Sequence, residues 1–152
     1  MLMDEKMDHG PIVAQRQTQE SIFGNQEWPT SEELQKVLAK QGGELLTEIL
    51  PKWVEGKIEA IPQNEAEASY TKKFSKEDAF INLSEDSRGN YLKIRAFSRS
   101  PVAYTTVARN GRLVRLIIKS AELKDGLLVL KRVIPEGKRE MSYDDFLRGF
   151  SR

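Results

Sequence analysis

The chain has 152 residues, 39% hydrophobic and 31% charged, which suits one globular domain or one small domain plus part of another. With no cysteine and a single histidine, it has no disulfide framework, no thiolate chemistry and no histidine-rich metal site. The formal net charge of +1 hides an asymmetry: residues 1–68 hold 6 Lys/Arg against 13 Asp/Glu, whereas residues 69–152 hold 18 against 10.

That imbalance marks the second half as a candidate polyanion binder, although a solvated basic face would account for the same charge. No apolar run approaches the roughly 18 residues of a membrane span, and no signal-peptide pattern opens the chain. The default expectation is a cytoplasmic protein without a membrane partner.

Along the chain, an acidic turn at 4–11 leads into Pro11 to Gln17, which reads as a short strand. Residues 18–29 are polar and read as loop. Thr30-Ser31-Glu32-Glu33 is a capping box, and Leu34, Val37, Leu38, Leu45, Ile49 and Trp53 recur at helical spacing behind it. Gly42-Gly43 and Pro51 predict a kink or a break in that helix, and Gly56 marks its stop.

Residues 57–69 turn polar and read as a linker. Ser75-Lys76-Glu77-Asp78 has the pattern of a short capped turn, and residues 90–97 fit helix or strand equally. From Tyr104 the pattern is β: a hairpin through Asn110-Gly111, a further strand after Asp125-Gly126, a turn at Pro135 to Lys138, and a final helix capped by Ser142. Short strands separated by such turns predict a small barrel or sandwich. On strand 113–118, alternation places Leu113, Arg115 and Ile117 on one face and Val114, Leu116 and Ile118 on the other.

Four segments in order resemble the methionyl-tRNA formyltransferase family. Met3-Asp4-Glu5-Lys6-Met7-Asp8-His9-Gly10-Pro11-Ile12 is similar to its Met-Asp-x-Gly-Leu-Asp-Thr-Gly-(Pro/Asp)-Ile motif. Ser69 to Asn82 is similar to its Thr-Tyr-Ala-x-Lys-(Ile/Leu)-x-Lys-Glu-(Asp/Glu)-Ala-x-Ile-Asp segment. Ile94 to Pro101 resembles Ile-Arg-Ala-Phe-x-Pro-x-Pro, and Pro135 to Ser142 resembles Pro-x-Gly-Lys-x-x-Met-Ser. The chain departs from these patterns at Lys6, His9, Asn82 and Arg99, and its β-region is shorter than the family's barrel.

The resemblance implies an α+β chain. A remnant of an α/β formyltransferase domain (1–60) would be followed by a linker (61–74) and an OB-like, tRNA-binding β-barrel (75–152). It implies transfer of formyl from 10-formyltetrahydrofolate to the amino group of initiator Met-tRNA, with no metal. Such a transfer passes through an oxyanion, which needs hydrogen-bond donors and a group that helps remove the amine proton.

Asp8 corresponds to the family's catalytic aspartate, which orients a histidine much as in a hydrolase triad. Read alone, Asp8 is ordinary turn chemistry. Asp4, Glu5, Lys6 and Met7 would line the folate pocket, or be plain surface loop. The family's Asn-x-His pair occurs nowhere in this sequence. His9, adjacent to Asp8 and pointing elsewhere, is a poor replacement.

Phosphate contacts would come from Lys72, Lys73, Lys76, Arg95, Arg99, Arg109, Arg112, Lys138 and Arg139, about half of which a solvated surface would explain. Tyr70, Tyr91 and Tyr104 are stacking candidates whose ordinary role is packing. The helical apolar stripe, deprived of most of its sheet, would face a missing N-terminal half or a second copy. Two other readings stay open, a stand-alone tRNA-binding module and part of an amino-sugar-nucleotide formyltransferase.

Overall fold

The computed structural model describes residues 1–18, 29–109 and 111–149. The chain divides into two compact units, Met1–Asn25 with Leu34–Lys72, and Gln26–Glu33 with Lys73–Arg152. Helices and strands are mixed in the α+β manner, and among the described residues every β-strand lies in the second unit. Of the expected loop at 18–29, residues 19–28 lie outside the described residues.

Helix α1 spans Ser31–Val54 and starts at the predicted box. The Glu33 carboxylate accepts from both the Thr30 N–H and hydroxyl (2.8 Å each), while the Glu33 N–H donates to Thr30 Oγ1 (3.2 Å). The helix is continuous through Gly42, Gly43 and Pro51, so it does not break into two. Its many Glu, Leu, Gln and Lys residues outweigh two solvent-facing glycines, and Pro51, near the C-terminal end, removes one backbone bond without ending the helix. Gly56, at φ 69, ends it, with its N–H on the Trp53 carbonyl and that of Lys57 on Lys52.

In the first unit the expected strand from Pro11 to Gln17 does not form. Only Ile12 pairs, in one antiparallel bridge with Ile61 (N···O 2.8 and 2.9 Å). Without a second alternating segment beside it, a lone apolar triplet gains too little from pairing to extend further.

In the second unit Ser75 and Asp78 cap each other at a 3₁₀ turn, Glu77–Ala79. The ambiguous segment is a helix, α2, Ser87–Ala96, because Asp86 caps it (Gly89 N–H to Oδ2, 2.5 Å) and its buried residues Asn90, Tyr91 and Ile94 share one helical face.

Strands β1 (Tyr104–Arg109), β2 (Arg112–Lys124), β3 (Leu127–Pro135) and β4 (Met141–Ser142) form an antiparallel sheet in that order. Asp125 and Gly126, both at positive φ, make the β2–β3 turn as the Asp-Gly signal required. Gly111 is at φ 74, while Asn110 lies outside the described residues.

Strand β2 serves its neighbours along different lengths. Residues 112–117 pair with β1 and residues 116–124 with β3, with register shifts between Ile118 and Ala121. A bulge at the change of partner is how barrel-like sheets re-aim a strand. The inner face of the sheet, with α2 and the final helix α3 (Tyr143–Arg148), builds the core. One cluster gathers Ile81, Ile94, Ala103, Ile118 and Leu130, the other Leu116, Val133 and Phe146.

Candidate functional site

In the first unit the loop 2–11 folds back on itself. The Leu2 N–H donates to the Pro11 carbonyl (2.9 Å), and Gly10 is buried because any Cβ there would lie 1.9 Å from the Leu2 oxygen. Asp8 adopts φ 57, a conformation that aspartate tolerates better than most side chains. Gln63 Nε2 holds the turn by donating to the carbonyls of Asp8 (2.9 Å) and Gly10 (2.8 Å).

The Asp8 carboxylate makes no hydrogen bond or ion pair among the described residues. It is exposed and lines a cleft of about 670 Å³ with Met7, His9, Ile12, Pro62, Gln63, Glu65, Ser69 and Tyr70.

Beside it, His9 is clamped between two carboxylates: Nδ1 lies 2.5 Å from Asp4 Oδ2, and Nε2 bonds Glu65 Oε1. The His9 bond and the Lys6 N–H (2.9 Å) hold the Asp4 carboxyl below its ordinary value of 3.8. Lys6 also approaches Glu65, at 3.6 Å.

Of the four residues assigned to a folate pocket, only Met7 lines the cleft. Asp4 and Lys6 are engaged in the clamp, and Glu5 is exposed. The cleft mixes apolar surface with the carboxylates of Asp8, Glu65 and Glu67 and the carboxamide and hydroxyl groups of Gln63, Asn64, Ser69, Tyr70 and Thr71. Gln63 and Glu65, which position this loop, sit in what read as a polar linker, and no pattern in the sequence singles them out.

The basic candidates scatter over their elements. Lys72 is exposed in the first unit. In the second, Lys73, Lys76, Arg99, Arg112, Lys138 and Arg139 are exposed. Arg95 is half-buried, over the Tyr91 ring and 3.4 Å from Glu33. Arg109 closes β1 opposite Arg112.

Arg115, which alternation placed on one face with Leu113 and Ile117, meets an aromatic ring in the sheet. The Arg115 guanidinium carbon lies 4.0 Å from the centroid of the Tyr104 ring. Tyr70 is 89% exposed at the cleft, whereas Tyr91 is buried in the second unit.

Among the described residues no group of three His, Asp or Glu side chains is arranged to hold a metal ion, and no helix is long and apolar enough to cross a membrane.

The chain carries an exposed carboxylate beside a cleft in its first unit and a basic β-unit in its second. No family model matches it. It is 30% identical to the methionyl-tRNA formyltransferase of Syntrophomonas wolfei over 174 residues, 99% of this chain and 53% of that protein. It is 31% identical to those of Bacillus thuringiensis (strain Al Hakam) and Bacillus cereus (strain AH820) over 172 residues, 98% of this chain and 52% of each.

The chain thus spans about half the length of the curated relatives it matches. It is a homologue of the C-terminal part of methionyl-tRNA formyltransferases.

Proposed function

We propose that this chain contributes the tRNA-holding part and one acid–base residue to formylation of initiator Met-tRNA in the cytoplasm. The observation that carries this reading is similarity along 98–99% of the chain to proteins named for that reaction. The uncommitted carboxylate of Asp8, held at the mouth of a cleft by Gln63, supports it.

In this reading residues 1–60 complete a transferase domain, 61–74 connect, and 75–152 bind tRNA. Asp8 orients a histidine and assists removal of the amine proton. 10-Formyltetrahydrofolate supplies the formyl group when bound, with Met7 and its neighbours Asp4, Glu5 and Lys6 contributing one wall of its pocket.

The oxyanion donors must come from elsewhere, because the sequence holds no Asn-x-His, and both nitrogens of His9 are taken by carboxylates. The natural occupant of the exposed α1 face is therefore a polypeptide corresponding to the other half of the relatives. Lys72, Lys73, Lys76, Arg95, Arg99, Arg109, Arg112, Lys138 and Arg139 contact phosphates, with Arg95 held in place by Glu33.

The test mixes the pure chain with the N-terminal half of the Syntrophomonas wolfei enzyme and measures formyl-Met-tRNA. The chain alone is expected to be inactive and the mixture active, and Asp8→Asn should lower the mixture's rate by about 10²-fold or more. Turnover by the chain alone, or restored turnover indifferent to Asp8→Asn, refutes the proposal.

A second reading, a stand-alone tRNA-binding module, draws on the excess of 18 basic over 10 acidic residues in 69–152. It predicts tight tRNA binding with no restored turnover in the same mixture.

A further inference from the structure

Arg115 differs from the ion-paired cations of the second unit. Arg95, Lys131, Arg132 and Arg148 each face a carboxylate, at 2.5–3.4 Å. Arg115 faces none. Its Nε is buried without a hydrogen-bond partner, and its guanidinium lies over Tyr104. A half-buried guanidinium with no counter-ion is costly unless something else answers its charge, and one aromatic face answers only part of it.

The platform is fixed from below. Phe80 meets Tyr104 edge-on at 5.5 Å, the Ile81 N–H donates to the Tyr104 carbonyl at 2.7 Å, and Arg115 pairs with Thr106 across the hairpin. Leu113, on the same face, is 74% exposed.

We propose that Tyr104 and Arg115 form a stacking site for an unpaired RNA base, which lies on the outer guanidinium face while a neighbouring phosphate receives the free N–H donors. Planar guanidinium groups stack on bases, and such contacts read single-stranded rather than duplex RNA. The surrounding excess of positive charge favours RNA over an acidic peptide, which would bring no ring to stack. The proposal rests on the RNA-binding reading above and adds to it a place on the sheet where an unpaired base stacks.

The experiment uses the full chain at low salt with an RNA hairpin ending in a short unpaired 3′ tail that carries 2-aminopurine, and the same hairpin blunt-ended. Tighter binding of the tailed RNA, by roughly tenfold, is expected, with quenching of the tail base. Arg115→Lys, which keeps the charge and loses the plane, should abolish both the advantage and the quenching, whereas Tyr104→Phe should retain them. Equal affinities with an unquenched tail overturn the stacking site and leave RNA binding standing. No binding of either RNA removes both. The quenching on the unaltered chain decides the matter even where a variant misfolds.

Discussion

Asp8 and Gly10 constrain the loop for different reasons, and substitution separates them. Asp8→Asn keeps a side chain suited to φ 57 and should leave stability unchanged, so that its effect on turnover reports chemistry alone. Asp8→Val should cost about 1–2 kcal/mol in urea unfolding, because a branched Cβ is strained in the left-handed region. Gly10→Ala forces a carbon into the Leu2 carbonyl and should open the loop, at about 1–3 kcal/mol, with faster exchange of the Leu2 amide.

Acid should loosen the same loop from the other side. The Asp4 carboxyl is lowered by His9 and the Lys6 N–H, so its contribution is present above the ordinary value of 3.8 and is lost as pH falls through the folded value. The Lys6 amide should exchange faster in that range, and Asp4→Asn should remove the dependence.

Elements with local punctuation were readable, and those dependent on distant partners were not. The Thr30 box, the Gly56 stop, the Ser75–Asp78 and Ser142 caps and the Asp125-Gly126 turn each satisfy backbone groups within a few residues, so their residue types announce them. Pro11 to Gln17 misled because a strand exists only through its partner, and here only Ile61 provides one. Residues 90–97 were settled by Asp86, a cap outside the ambiguous window. In the candidate site Asp8 was nameable through a motif, but Gln63, Glu65 and the Arg115–Tyr104 pair depend on register and chain return, which one sequence does not display.

Two substitutions test the caps and turns. Thr30→Ala should cost about 1 kcal/mol and reduce helical circular dichroism. Gly126→Ala, at φ 78, should cost about 1–2 kcal/mol in urea unfolding.

Across the molecule the hydrophobic core is unevenly shared. Every buried hydrophobic residue among those described belongs to the second unit, and α1 buries none over 24 residues, with Leu46 56% and Val54 77% exposed. Hydrogen exchange should therefore show the α1 amides opening well before those around Leu116 and Ile118 in β2, and a polypeptide that covers the helix should slow α1 selectively. Charge is divided as unevenly, so under the proposed tRNA-binding reading affinity should fall steeply with salt. Each phosphate contact adds close to one unit to the slope of log affinity against log salt on duplex RNA, and Lys138→Ala or Lys73→Ala should each reduce that slope by about one if it touches a phosphate.

The sheet order β1-β2-β3-β4 follows the chain, so each strand finds its mate across a loop of a few residues. Closing such short loops loses little chain entropy, and local pairings of this kind assemble quickly. On the ribosome the β-region can zip up strand by strand as it emerges, before helix α3 arrives to seal Leu116 and Val133 beneath Phe146.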